Sequence, residues 1–432
     1  MNPGILLSYP GKNQNVLKDL LALQRADMLA LFCTTIAWRP EGALNGIVPA
    51  GIRGQLERRV FEGVDPRLIR AFPAREWVRQ VALRLGLRAL TRHERGWASF
   101  DAVAYGLDAR VSALVRGGQT RAAAIYGYEC SSLASFAAAA GAGMRRFYEL
   151  TTGYWRAAAR ILGEESERNP EWAVTMEGLQ DSAVKKARKD AELGNADHVF
   201  VPSSFVRTTL GEHPSLTASV EVMPYGAPPP NPRALMARGR APALRLLYVG
   251  NLTQQKGLSY LFDAMRSLGN AATLTLIGQK PTPHCAALED ALGRYEWMGV
   301  LSHAEVLEVM ARHDLLVLPT LFDGFGLVIL EAMACGRPVI APRAGAFPEL
   351  IDESVGTLVA PNSPASMAEA IAALYERDLD AIGAAGRARV LRHFTWSRAF
   401  HTQIATYASL VGAPRQAPLP EGGIIELGTT SS

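Results

Sequence analysis

The chain has 432 residues, of which 48% are hydrophobic, 20% charged and 8% aromatic, which excludes a disordered or collagen-like polymer and supports two or three domains. Its 45 Lys and Arg against 41 Asp and Glu leave a net charge of only +4, too little to mark the whole molecule as a nucleic-acid binder. Four widely spaced cysteines, Cys33, Cys130, Cys285 and Cys335, form neither a zinc spacing nor a small disulfide framework and point to a reducing compartment.

In chain order, the opening MNPGILLSYPGKN lacks the basic start, long apolar run and small-residue cleavage site of a secretory signal, so a cytoplasmic location is expected. ILLSY reads as a strand and residues 15–30 as a helix. Residues 52–95 hold eleven Arg and no Lys against five acids. Within them Trp77, Val78, Val81 and Leu85 recur at helical spacing while Arg75, Arg79, Arg88 and Arg92 fall on other faces. An amphipathic basic helix follows, packed on its apolar side and solvated on the other, with contact to anionic lipid or an acidic glycan as the functional alternative. Residues 122–144 are mostly Ala, Gly and Ser with Glu129 among them, too polar for a membrane span. AIYGY and HVFVP read as further strands, the second after a charged helix over 181–193. These elements predict an N-terminal α/β domain over residues 1–225. Five prolines between positions 224 and 232 then make a semi-rigid connector and place a boundary near residue 226.

After residue 240 the pattern is sharper. Short apolar runs (LRLLYVG, TLTLIG, DLLVLP, PVIAP) alternate with amphipathic segments, which argues for βαβ units and a parallel sheet over residues 226–412. Ser302 and Glu305 form a capping box, and Gly336 with Pro338 stops a helix before PVIAP. Residues 413–432, poor in large apolar residues, are expected to be a disordered tail.

No dinucleotide-binding glycine fingerprint, Walker loop, zincin or serine-hydrolase motif occurs, and His, Asp and Glu show no metal-ligand spacing, so no metal site is expected. His303 and His313 read as surface helix residues. Two loops at the ends of C-terminal strands remain, where open α/β sheets bind ligands. The first, Asn251 to Gly257, puts Lys256 at a helix start, where an ammonium and the helix dipole favour phosphate; the plainer alternative is a solvated lysine before an ordinary helix. The second, Leu321 to Leu327, places Gly324 and Gly326 around Phe325 at a helix N-terminus, with Asp323 in the loop and Glu331 on the helix. Exposed backbone N–H groups there suit an anion, and carboxylates beside an anion make sense as acceptors for sugar hydroxyls. Together the loops suggest a nucleotide-diphosphate sugar. The alternative is that the glycines shape a tight turn and Glu331 pairs with a surface base.

At these residues the sequence resembles the retaining, nucleotide-sugar-dependent glycosyltransferases of family 4, often called group 1, which have the GT-B fold. The resemblance rests on Val249-Gly250-Asn251-Leu252 with Lys256-Gly257, on Asp323 to Leu327 and Glu331 to Ala334, and on Cys335 to Ile340; it spans about residues 244–400. ADHVFVPSSFV (196–206) and MPYG also resemble the end of the family's N-terminal domain. The resemblance implies two doubly wound Rossmann-like domains facing a cleft, the last helix packing back on the first domain. It further implies that Gly250, Asn251 and Lys256 meet the donor diphosphate, that Asp323 contacts the transferred sugar, that N–H groups of Gly324, Phe325, Gly326 and Leu327 hold phosphate and sugar, and that Glu331 binds ribose. Asp323, Lys256 and Glu331 are the implied catalytic residues.

Two positions depart from the family: Asp323 stands where Glu is usual and Asn251 where Arg is common. TTGYWR offers Tyr154 and Trp155 where many members carry a histidine. The implied reaction is front-face sugar transfer with retention, no essential metal and no cofactor beyond the donor. The acceptor would be a glycan or lipid-linked molecule, and the protein would sit in the cytoplasm or peripherally on the inner membrane face without contacting nucleic acid. A catalytically weak sugar-nucleotide-binding or scaffolding protein, or a GT-B sugar-nucleotide epimerase, are the competing readings.

Overall fold

The computed structural model describes residues 3–41, 56–228, 242–281 and 284–413. The proline-rich connector beyond residue 228 and the tail beyond 413 lie outside the described residues.

Two parallel sheets organise the chain. The first joins β1 (Ile5–Ser8), β2 (Leu29–Thr34), β3 (Ile69–Ala71), β4 (Ala124–Tyr128), β5 (Arg145–Glu149), β6 (His198–Val201) and β7 (Ser219–Val222) in the order β3-β2-β1-β4-β5-β6-β7. The second joins β8 (Leu244–Val249), β9 (Ala272–Ile277), β10 (Glu296–Trp297), β11 (Leu315–Val317), β12 (Val339–Pro342) and β13 (Gly356–Val359) in the order β10-β9-β8-β11-β12-β13. Strand order reverses beside β1 and beside β8, so each domain opens a crevice at the carboxyl ends of those strands.

The helices that position the site are α1 (Gln14–Arg25), α2 (Ala74–Arg84), α3 (Phe100–Arg116), α4 (Trp155–Arg168), α5 (Ala183–Gly194), α6 (Ser204–Thr209), α7 (Leu258–Leu268), α8 (His303–Arg312), α9 (Leu327–Ala334) and α10 (Trp396–Val411). None of the described helices is long and apolar enough to cross a membrane.

Two sequence expectations are corrected. The helix predicted over 15–30 ends at Arg25; Asp27 turns with φ +50° and Leu29–Thr34 becomes β2, paired with β1. Strands buried on both faces carry continuous apolar runs, which periodicity alone does not separate from a helix. The helix near residue 80 exists, but of its apolar side only Trp77 packs, half-buried against the cluster of Ile36, Trp38 and Leu56; α2 otherwise buries Glu76 and Ala82, whereas Val78, Val81 and Leu85 are exposed. Its orientation is set by polar contacts. Glu76 accepts from Arg59 at 3.0 Å, and Arg75 donates to the Ala102 carbonyl at 2.6 Å.

The last helix, α10, returns to the first domain. Tyr407 donates its hydroxyl to that of Tyr126 (3.1 Å), and Tyr126 in turn donates to Glu149 (2.8 Å). Trp396 at the start of α10 lies so close to Gly226 that a Cβ there would be 2.6 Å from its backbone.

Candidate active site

The loop after β8 is pressed between its neighbours. The Gly250 N–H donates to the Ile277 carbonyl (2.9 Å), and Gly257, at φ +70°, packs so tightly that a Cβ would lie 2.0 Å from the Pro319 carbonyl oxygen. A side chain at that position is excluded both by the left-handed backbone and by contact with the β11 loop. Lys256 is thereby held over the β11 loop, where its ammonium pairs with Asp323, each side chain about one-fifth exposed. Asn251 is exposed, and its backbone carbonyl accepts the Tyr248 hydroxyl at 2.8 Å.

In the second loop Gly326, at φ +83°, leads directly into α9, whose first residue is Leu327. The Phe325 N–H is turned onto the Asp323 carboxylate at 3.2 Å. Burial by itself would raise the pKa of Asp323; the Lys256 ammonium and the N–H groups of Phe325 and Gly326 outweigh it and hold the carboxyl below its ordinary value. Two of the four backbone donors that the resemblance assigns to phosphate and sugar, those of Phe325 and Gly326, therefore already hold an anion, supplied by the chain itself.

Gly324 faces the other domain. Its carbonyl accepts from Ser203 at 2.6 Å, and a Cβ on it would lie 2.1 Å from the Thr151 carbonyl oxygen. The Phe325 ring meets Tyr225 edge-on at 5.4 Å. Thr151, Thr152 and Gly153 of the TTGYWR segment thus approach the second loop. Tyr154 and Trp155 are drawn to Asp190 instead.

On α9, Glu331 bonds with His303 Nε2 at 2.9 Å. This corrects the reading of His303 as a bystander: the Ser302–Glu305 capping box fixes the start of α8 and brings its first residue to Glu331. The hydrogen bond to Glu331 raises the His303 pKa against the opposing effects of burial and of Lys18 on α1 across the cleft. His313 lies just beyond α8 and contacts the Val309 carbonyl at 2.8 Å.

Sequence reasoning missed the residues that fix these loops from the first domain: Ser203, Thr151 and Glu165. Only Ser203, inside VPSSFV, carried any local signal. Among the described residues, His93, Glu94 and Asp181 could together hold a metal ion, but the Lys185 and Lys189 ammonium groups each stand 2.9 Å from Asp181 and fill that role.

Residues 243–377 match the family model described as glycosyl transferases group 1. Glycogen synthase of Mycobacterium tuberculosis is 31% identical over 202 residues, covering 44% of this chain and 48% of the relative. Alpha-maltose-1-phosphate synthase of the same organism is 28% identical over 222 residues, covering 47% and 54%. The chain thus spans about half the length of these curated relatives.

Solved structures match almost the whole chain in fold. Sucrose-phosphate synthase from Thermosynechococcus elongatus superposes with a TM-score of 0.67 at 20% identity, covering 95% of this chain and 100% of that one. Anabaena HepE in complex with UDP-glucose gives 0.62 at 18%, covering 94% and 99%. The architecture is that of GT-B glycosyltransferases, two Rossmann-like domains each built on a parallel sheet.

Proposed function

We propose that the protein is a retaining glycosyltransferase that moves a sugar from a nucleotide-diphosphate sugar to a glycan or lipid-linked acceptor without an essential metal. One observation carries this reading: Lys256, the Gly326 start of α9 and the Glu331–His303 pair stand on adjoining loops and helices at the carboxyl ends of the second sheet. A cation and a helix N-terminus suit the diphosphate, and a carboxylate one turn further suits ribose hydroxyls.

In this mechanism Lys256 leaves Asp323 for the diphosphate, where it offsets the charge that develops as the sugar departs. Asp323 then accepts a hydrogen bond from the transferred sugar, and the acceptor attacks from the side the diphosphate leaves. Closure of the first domain over the donor excludes water that would hydrolyse it. HepE, which binds UDP-glucose, makes UDP the first nucleotide to test. Purified protein supplied with nucleotide sugars and acceptors should release nucleoside diphosphate in the presence of a chelator, with the anomeric configuration kept. Strict dependence on added Mg²⁺ or Mn²⁺, or inversion, would refute it.

The engagement of Asp323 with Lys256 and the Phe325 N–H favours a second reading, a protein that binds sugar nucleotides without transferring them. Thermal stabilisation by nucleotide sugars with no turnover across a broad acceptor panel would establish that reading. Acceptor-independent change at a sugar carbon would establish the epimerase instead.

A further inference from the structure

Phe322, the residue before Asp323, is 2% exposed, yet it stands on the β11 loop of the second domain and packs in an apolar cluster whose other described members all belong to the first, among them Ala157 and Leu162 of α4, Met176 and Phe205. The Phe205 ring meets it edge-on at 5.6 Å. A Cβ at Gly153 would lie 2.2 Å from the Phe322 Cζ, so the ring fills the space that a side chain at this point of the TTGYWR segment would need. A side chain seated at interior density has little freedom to shift.

The backbone around the ring is gripped as well. Gln255, the residue before Lys256, accepts the Leu321 N–H on its carbonyl at 3.0 Å and donates its side-chain amide to the Phe322 carbonyl at 3.2 Å. On the far side of Asp323 the Gly324 carbonyl accepts from Ser203 at 2.6 Å. Asp323 is therefore the middle of three residues whose outer two are anchored in the first domain, while its own carboxylate turns back to Lys256 of the second. Fixed at both ends, the stretch has few backbone conformations left, and support of that kind is what holds a reacting group to within about 0.5 Å.

We propose that Phe322 is a positioning residue: its ring, seated in the first domain, sets the Asp323 carboxylate against the transferred sugar, so that this carboxylate is placed only while the two domains are together. The role toward the sugar rests on the transfer reading above; the seating of the ring does not. A ring that only buried apolar surface could stand anywhere on the interface, whereas this one directly precedes Asp323 and shares Gln255 with the loop that carries Lys256. Separation of the domains would withdraw the ring from Gly153 and Phe205 and release Asp323 in the same movement, so closure completes the site as well as covering it.

The test is hydrogen–deuterium exchange of the full chain without ligand, joined to donor kinetics. Phe322→Ala empties the seat; Gly153→Ala displaces the ring from the opposite domain, toward a cavity of about 140 Å³ that Gly153, Leu162 and Leu179 help to line and that gives it room without unfolding. Each should speed exchange in residues 321–327, where the Phe325 and Gly326 N–H groups hold Asp323, and leave β12 and β13 as in wild type. Gly153→Ala combined with Phe322→Leu should regain protection, since leucine lacks the ring edge that meets the new Cβ. With UDP-glucose as donor, kcat should fall about 10- to 100-fold in Phe322→Ala, as for a reacting group misplaced by about 1 Å, while KM stays within about threefold and Phe322→Leu keeps most of the rate. Unchanged exchange in 321–327, an equal rise across the whole second sheet, additive effects in the combined variant, or a KM that rises at constant kcat would each overturn the proposal. A wild type that releases no UDP would count against the transfer reading instead, and the exchange measurements, which use no donor, would still decide the seating.

Discussion

Gln254, two residues before Lys256, donates its side-chain amide across the domain interface to Glu165 at 2.7 Å, and both side chains are buried. Glu165 also accepts the Tyr260 hydroxyl at 2.8 Å, and the Gln254 N–H donates to Thr175 at 2.9 Å. The loop that carries the candidate diphosphate cation is thus held by the opposite domain.

Replacing that acceptor should loosen both the interface and the loop. Glu165→Ala removes one acceptor from the Gln254 amide, which keeps Ser259, and the acceptor of the Tyr260 hydroxyl, which keeps only its bond from Asn169, at about 1–3 kcal/mol in all. Calorimetry should show a lowered Tm, and donor titrations a KM that rises more than kcat falls. Glu165→Gln, which keeps an acceptor, should lose less. An Ala variant with wild-type Tm would mean that the contact does not organise the loop.

Lys256→Ala and Glu331→Ala should each weaken nucleoside diphosphate binding, about 10- to 100-fold if each removes a charge-assisted contact of about 1.5–3 kcal/mol. Because Lys256 and Asp323 pair, the stability effects of Lys256→Ala and Asp323→Asn should not add in the double variant. Wild-type affinity in both single variants would place the donor elsewhere.

The His303–Glu331 bond makes a pH dependence. The His303 pKa is raised in the folded chain, so its contribution to stability is full below the ordinary histidine value of about 6.5 and is lost as pH rises through the raised one. If ribose hydroxyls take the Glu331 carboxylate, the histidine must release it. Nucleotide affinity measured by titration calorimetry should therefore increase as pH rises through that range. His303→Gln should flatten the profile, and an unchanged slope would exclude His303 as its source.

A second pH dependence belongs to the first domain. Burial pushes Glu192 up to about 7, against the opposing effects of Arg188 and of N–H donors at Ser132 and Cys130. A raised carboxyl stabilises fully below its ordinary value near 4.5 and loses that contribution as pH rises through about 7. Thermal melts should show stability falling over this interval, and Glu192→Gln should shrink the fall. A profile identical in the two proteins would assign the slope to other groups.

What was legible in the sequence was local. The capping box at Ser302, the glycines Gly257 and Gly326 and the alternation of runs after residue 240 act within a few residues and appear as read. What was not legible depends on partners far along the chain. The orientation of α2 follows from Arg59 meeting Glu76 17 residues away, the role of His303 from Glu331 28 residues away, and the seating of Gln254 from Glu165 89 residues away. β2 was hidden for another reason: its apolar run lacks the alternation that marks a half-buried strand. The pairing of Asp323 with Lys256 was missed because both were read as facing a ligand, and neither loop reveals the other's position.

The return of α10 to the first domain means that the polypeptide crosses between the halves twice, once near Gly226 and again near Trp396, and that these crossings touch through the Ala227–Thr395 bridge. Two adjacent crossings form an axle rather than a tether: the halves can swing about that line but not slide or twist freely. A protease cut in the connector would leave two fragments still joined through α10, its Tyr407 seated on Tyr126, and so running as one particle in solution until denaturant separates them.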